Sequence, residues 1–298
     1  MASSPAIFDR ALLRQRRRRA TVLGPATFLL DRVADDLADR LAAVLRRFEL
    51  AVDLGTPGDA VRAALAGRGS VGKIIAADTL ADFSRAAPFV VADEEALPFG
   101  TEKLDLVVSA LALHFVNDLP GTLLQIRRAL KPDGLFLAAL LGGDTLTELR
   151  QSFAAAESEV EGGASPRVAP FADLRDLGAL LQRAGFALPV TDVDRLTVRY
   201  ENVFALMHDL RRMGATNNLL ARRRTPLRRA TLHRMAEIYG QRFADADGRI
   251  RATFDIVWLS GWAPHPGQQQ PLRPGSAKAR LADALGTREI STGEKAGK

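Results

Sequence analysis

Glu49-Leu50-Ala51-Val52-Asp53-Leu54-Gly55-Thr56-Pro57-Gly58-Asp59 decides the fold. A short apolar run ends in Asp53. Leu54 to Asp59 reads as a turn. A helix opens at Ala60 and runs to Ala66, with Asp59 placed to cap it. The unit then repeats. Val71 to Ala76 is apolar and is followed by Asp78. Phe89-Val-Val-Ala-Asp93 is again an apolar run ending in Asp, and Leu104 to Ser109 is another β-rich run. Leu119 to Leu130 is helical, Lys131-Pro132-Asp133-Gly134 is a turn, and Leu135 to Leu141 is a wholly apolar strand. Short apolar strands alternating with helices argue for a parallel sheet covered on both faces. The expected class is α/β, a doubly wound and mostly parallel sheet.

Upstream of this stretch, residues 5–47 read as two helices broken at Gly24-Pro25. Phe8, Ala11 and Leu12, then Phe28, Leu29, Val33, Leu37, Leu41 and Val44, recur at helical spacing. Downstream, Thr145 to Val160 and Phe171 to Ala184 read as helices, the second stopped by Gly185. Val190 to Tyr200 and Ile250 to Trp262 read as strands. Val203 to Phe243 reads as basic helix interrupted near Gly214 and Pro226. The sheet thus has seven strands, with N-terminal helices and a helical insertion before the last strand. The expected layout is a helical extension over 1–47, a main domain over 48–263 with its insertion at 203–245, and a disordered tail over 264–298. That tail is rich in Pro, Gly, Gln and Lys, with a short helix near Ala277 to Leu285.

The 298 residues include no cysteine, which excludes disulfide scaffolds, zinc knuckles, iron–sulfur clusters and thiol nucleophiles. A formal charge of +6 arises from 41 Lys and Arg against 35 Asp and Glu. Much of the excess sits in Arg16, Arg17, Arg18 and Arg19, and in Arg222, Arg223, Arg224, Arg228 and Arg229. Both clusters read as solvated helix faces, with acidic lipid, nucleic acid or an acidic protein as the alternatives. Aromatic residues are few and offer no base-stacking platform, so nucleic acid is not an expected partner. No apolar run approaches the length of a membrane span, which leaves peripheral membrane contact open. The first residues lack the apolar core of a signal peptide. They are Arg-rich and acid-poor, like a mitochondrial transit peptide, but show no cleavable break. The bias to Ala, Arg and Leu looks bacterial. The expected location is cytoplasmic, peripheral to the inner membrane, or on the matrix side in a eukaryote.

In an open α/β sheet, ligands bind at the carboxyl ends of the strands near the switch point. Asp53, Asp78 and Asp93 stand at three such ends. An adenosine needs a close backbone approach, which glycine permits. Its ribose diol needs an acceptor, best met by a carboxylate ending the second strand. Its amino group needs another, and the third strand end is placed for it. S-adenosylmethionine carries a sulfonium and an ammonium but no phosphate, so an acidic first turn suits it. The same turn repels a pyrophosphate, and Gly-x-Gly-x-x-Gly is missing, which disfavours a dinucleotide.

The chain resembles the class I methyltransferases of the type-11 kind. The matching residues are Ala51-Val-Asp-Leu-Gly55, Ala92-Asp-Glu-Glu-Ala-Leu-Pro-Phe99, Leu104-Asp-Leu-Val-Val-Ser-Ala-Leu-Ala-Leu-His114 and Leu130-Lys-Pro-Asp-Gly-Leu135. A narrower resemblance spans nearly the whole chain. Ile7-Phe-Asp-Arg10, Leu141-Gly-Gly-Asp-Thr-Leu-Thr-Glu-Leu-Arg150 and Asp209-Leu-Arg-Arg-Met-Gly214 with Asn217 are similar to one subfamily. That subfamily holds mitochondrial complex I assembly factors called arginine hydroxylases and their alphaproteobacterial relatives. The malonyl-carrier-protein methyltransferases of biotin synthesis are cousins.

The resemblance implies a Rossmann-like fold and S-adenosylmethionine as cofactor. It implies that Asp53, Gly55, Gly58, Asp78, Asp93, Glu94 and Ser109 hold that cofactor. The family's first motif reads Asp-x-Gly-x-Gly-x-Gly, and here Pro57 and Asp59 replace its second and third glycines. Pro57 adds bulk and removes a donor at the point of approach, and Gly58 lies one position out of register. Methyl transfer needs alignment rather than a fixed catalytic pair, so no catalytic residue is named. His114 reads as a core or loop histidine on its own, and as a site-lining residue from its place after the fourth strand. Asp209, Arg211, Met213, Gly214 and Asn217 are candidates for substrate contact or for simple helix packing. No metal site is expected, since the four histidines show no ligand spacing. The expected function is a methyltransferase acting on a protein or carboxylate acceptor. The alternatives are a complex I assembly or maturation factor of the arginine-hydroxylase kind, or a non-catalytic binding module. The partners in view are a respiratory complex I subunit or a carrier protein.

Overall fold

Side-chain alternation along the central strands explains why helices cover both faces. In β4 (Leu104–Ala110), Leu106, Val108 and Ala110 enter one apolar core and Val107 enters the other. In β5 (Leu130–Leu141), Leu135, Leu137, Ala139 and Leu141 join the first core, while Phe136, Ala138 and Leu140 join the second. A strand apolar on both faces is stable only between two layers.

The computed structural model describes residues 6–80, 88–269 and 281–288. Two helices precede the sheet, α1 (Arg10–Leu23) and α2 (Phe28–Ala42). The chain then runs β1 (Phe48–Leu54), α3 (Ala60–Leu65), β2 (Val71–Asp78), β3 (Phe89–Val91), β4, α4 (Leu119–Ala129) and β5. It continues through α5 (Thr147–Glu161), α6 (Leu174–Arg183), β6 (Ala187–Tyr200), α7 (Val203–Arg212), α8 (Arg229–Phe243) and β7 (Ile250–Trp262). The strand order is β3-β2-β1-β4-β5-β7-β6. Strands β1 to β5 pair in parallel, and β7 runs antiparallel between β5 and β6. This is the expected seven-stranded, mostly parallel, Rossmann-like sheet, with α7 and α8 inserted before the last strand. Helices α2, α5, α7 and α8 supply Leu37, Phe153, Leu206 and Tyr239 to one core. Helices α4 and α6 supply Ile126 and Leu181 to the other.

Several local expectations are corrected. Asp59 precedes α3 but makes no side-chain cap, because its carboxylate pairs with Arg62 one turn on. Lys131 to Gly134 is not a free turn. It is drawn into the start of β5 beside a register shift against β4, with Asp133 at φ +64° and hydrogen-bonded to Ala263 O. Strand β3 stops at Val91, two residues short of Asp93.

Residues Met1–Pro264 form one compact unit and His265–Lys298 a second. Helix α9 (Leu281–Leu285) belongs to the second and overlaps the helix expected near Ala277 to Leu285. The expectation of disorder over 270–280 and 289–298 lies outside the described residues. Among the described residues no helix is long and apolar enough to cross a membrane.

Candidate functional site

Parallel pairing brings the carboxyl ends of β1, β2, β3 and β4 to one edge of the sheet, with the strand order reversing at β1 and β4. Asp53 and Asp78 are buried there. Asp53 accepts from Arg62 Nη1 at 2.8 Å. Asp78 accepts from both terminal nitrogens of Arg17, at 3.1 and 2.6 Å, and from Leu80 N at 3.0 Å. Arg17 also reaches Gly55 O at 3.3 Å. Beyond β3, Arg10 bridges Asp93 and Glu95, each at 2.8 Å, and Glu94.

Both arginines come from α1, seven residues apart and so on one face of the helix. Buried Leu13 lies between them. The Arg16–Arg19 cluster is therefore not simply a solvated face. Arg17 sits on Asp78, whereas Arg18 and Arg19 are exposed. The second cluster is also partly committed, since Arg222 pairs with Asp9 at 3.1 Å and Arg223 with Glu161.

Gly55 and Gly58 both have φ +72°. A Cβ on Gly55 would lie 2.7 Å from Glu94 Oε1, whereas one on Gly58 would meet nothing within 4 Å. The turn with Pro57 thus keeps two left-handed positions, and Gly58 supplies the open one. Ser109 Oγ donates to Leu54 O at 2.7 Å in the buried sheet, which ties β4 to the end of β1.

A cavity of about 620 Å³ opens beside this edge. Pro57, Gly58, Leu80 and Leu111 line it at the strand ends, and Arg211, Met213 and Asn217 line it from the insertion. His114 lines it too, its ring packed against Phe115 and Phe171 with centroids at 4.2 and 5.7 Å. Burial pushes the His114 imidazole down to about 3, so it is neutral near pH 7. Its Nδ1 accepts from Leu141 N at 3.4 Å, which leaves the proton on Nε2.

The other substrate candidates separate. Asn217 bridges Pro166 O at 2.8 Å and Leu219 N at 3.1 Å. Asp209 faces Arg212 at 3.6 Å and lies near Tyr200, whose hydroxyl is held above its usual range by burial and then by Asp209. Gly214 packs directly on α1. It has φ +71°, and a Cβ there would lie 3.1 Å from Arg17 Cα. Gly214→Ala is expected to cost about 1–3 kcal/mol through strain at a left-handed position and to push α1 away, read as a lower Tm in thermal unfolding.

Residues not anticipated from sequence are Arg10 and Arg17 at the strand-end acids, and Arg16 and Asn218 in the cavity wall. The available signal was the seven-residue spacing of two cations around an apolar residue. The Leu141–Arg150 motif proves to be a corner. A Cβ on Gly142 would lie 2.5 Å from Val257 Cγ2, Thr145 exchanges hydrogen bonds with the Asp255 backbone, and Glu148 holds Thr253. Among the described residues no group of three or more His, Asp or Glu side chains is arranged to hold a metal ion.

Known proteins resemble this chain in sequence and in fold. Residues 52–138 match the family described as Methyltransferase domain. The YcgJ protein of Bacillus subtilis superposes with a TM-score of 0.52 at 15% identity, covering 77% of this chain and 98% of that one. The first likeness gives residues 52–138 a methyltransferase domain, and the second shows the fold. A malonyl-[acyl-carrier protein] O-methyltransferase of Laribacter hongkongensis is 40% identical over 65% of this chain and 62% of its own. The human mitochondrial arginine-hydroxylase NDUFAF5 is 41% identical over 93% of this chain and 83% of its own. The chain belongs to the arginine-hydroxylase NDUFAF5 family, built on the methyltransferase domain.

Proposed function

We propose that the chain acts as an S-adenosylmethionine-dependent methyltransferase on an acidic or protein acceptor. The observation that supports this most is the cavity that meets Pro57, Gly58 and Leu80 beside the buried carboxylate of Asp78. The residues present suit the cofactor. Asp78 offers an acceptor for a ribose diol, Gly58 leaves space for a close approach, and Asp93 and Glu94 stand at the next strand end. When bound, the cofactor supplies an electrophilic methyl group. Arg17 has to yield at least part of its hold on Asp78 for a diol to take its place. Asp53, through Arg62, and Ser109, through Leu54 O, hold the first turn and the β1–β4 seam.

Calorimetric titration with S-adenosylhomocysteine tests the reading. Micromolar binding by the folded chain is the expected result; no binding would sink it. The second reading is a complex I assembly factor, favoured by the extended similarity to NDUFAF5. Affinity capture of a quinone-reductase subunit by the whole chain distinguishes it, and failure to retain any such subunit removes it.

A further inference from the structure

The buried carboxylate of Asp78 is saturated. It accepts from Arg17 Nη1 at 3.1 Å, Arg17 Nη2 at 2.6 Å, Thr79 Oγ1 at 3.3 Å and Leu80 N at 3.0 Å. A carboxylate offers about four lone-pair sites, so all of them are taken. Two of the donors belong to the residues that follow Asp78 and travel with it. The other two are the guanidinium fork of Arg17, brought by α1 from 61 residues away. A ribose diol also presents two adjacent donors. Fork and diol compete for the same oxygens, and the fork is the partner free to leave.

Helix α1 also fills the ground in front of the first turn. Between Leu13, Arg17, Gly55, Glu94, Leu111 and Ala112 only about 30 Å³ is open, the share of one water molecule. Room lies on the other side. Arg17 lines the cavity of about 620 Å³ as well, so its side chain can turn from Asp78 into that space. The amino end of α1 stays pinned meanwhile, because Asn117 Oδ1 accepts from Ile7 N and Phe8 N, each at 2.8 Å. The destination is poor for a cation. Arg16, Arg167, Arg211 and Arg212 line it too, and among the described residues no carboxylate side chain does. Like charge there and the loss of a buried ion pair both favour the closed arrangement while no ligand is bound.

We propose that Arg17 is a latch on the cofactor site: its guanidinium takes the place of the ribose diol in the free protein, and binding exchanges one for the other at Asp78. This deepens the methyltransferase reading and rests on it. A ligand that enters only the open form has its apparent affinity reduced by the open fraction. The chain therefore binds its cofactor more weakly than the site itself allows, and Arg17 sets the difference.

Calorimetry on the whole chain tests the latch with Arg17→Met, Arg17→Lys and the control Arg18→Met. Arg18 is the exposed next residue, so its loss removes the same charge without touching Asp78. Circular dichroism checks that each variant folds. S-adenosylhomocysteine should bind Arg17→Met at least about tenfold tighter than the wild type, which corresponds to an open fraction below about one tenth. Arg17→Lys keeps the cation and loses the fork. It should show a smaller gain of the same sign, and it carries the test if Arg17→Met does not fold. Arg18→Met should match the wild type. Adenosine and 2′,3′-dideoxyadenosine locate the competition, since Arg17→Met should tighten the first and leave the second unchanged. S-adenosylhomocysteine binding that is unchanged or weaker in the Arg17 variants overturns the latch and leaves the methyltransferase reading standing. Equal tightening by Arg18→Met, or equal tightening of both nucleosides, overturns it in the same way. Binding of S-adenosylhomocysteine by none of these proteins removes the methyltransferase reading, and the latch with it.

Discussion

Asp78→Ala lowers the unfolding free energy by roughly 3–5 kcal/mol, the cost of removing one partner from a buried ion pair. It also abolishes S-adenosylhomocysteine binding. The Asp78 side chain is 1% exposed and that of Arg17 13%. Deleting the carboxylate leaves the guanidinium with Gly55 O and, among the described residues, no paired anion. Urea denaturation reads the first effect, and calorimetry reads the second. The double variant Arg17→Met with Asp78→Ala separates them. It removes the stranded charge, so much of the stability returns. Cofactor binding does not return, because the acceptor for the ribose is still missing. A double variant that regained binding along with stability would show Asp78 to be structural only.

Arg10→Met carries the second large effect, roughly 3 kcal/mol at neutral pH. One guanidinium holds three successive acids, Asp93, Glu94 and Glu95, and Glu94 is buried. Without it the three like charges repel across a loop that also packs on Gly55. The effect has a pH signature. Burial raises the Glu95 carboxyl, but hydrogen bonds from Asn117 N–H and Arg10, with the charge of Arg10, bring it below its ordinary value of 4.5. A lowered carboxylate contributes stability above its unfolded value and loses it as pH falls through the folded one. The wild type therefore loses stability on acidification below about pH 4.5, and Arg10→Met loses less over the same range. Urea midpoints measured between pH 7 and pH 3 check this; parallel curves for the two proteins would remove Arg10 from the account.

Strands β1, β2 and β5 were legible as apolar runs closed by Asp or Gly, whereas β6, an edge strand of alternating exposed and half-buried residues, was legible only from its alternation. The insertion was legible from its helical period and its breaks at Gly214 and Pro226. The strand-end acids were legible as a set, but their counter-charges were not. Arg17 and Asp78 are 61 residues apart, and Arg10 and Glu94 are 84 apart. No local pattern links a helix to a strand end at such distances. Lys131 to Gly134 misled for the opposite reason. Its composition is that of a turn, and it forms the irregularity between the β4 pairs of Leu130 and Leu135, held by Asp133 N to Ala263 O and Ala263 N to Gly134 O. His114 is a packed ring that also lines the cavity, a pairing of places that its position after the fourth strand does not reveal by itself.

The amino-terminal segment is fastened by the Phe8–Leu219 bridge, by Asp9 N to Asn218 O, and by Leu220 N to Ile7 O at 2.9 Å. These contacts join the two ends of most of the chain, and they have a consequence for synthesis on the ribosome. Domains fold as they emerge, amino end first. The first helix emerges early but finds its mooring only when residues 218–220 leave the exit tunnel. Until then the acids at the strand tips are made before their cover is anchored. The strand that joins β5 to β6, β7, emerges later still, so the mooring of the first helix and the closing of the sheet both belong to the last part of synthesis.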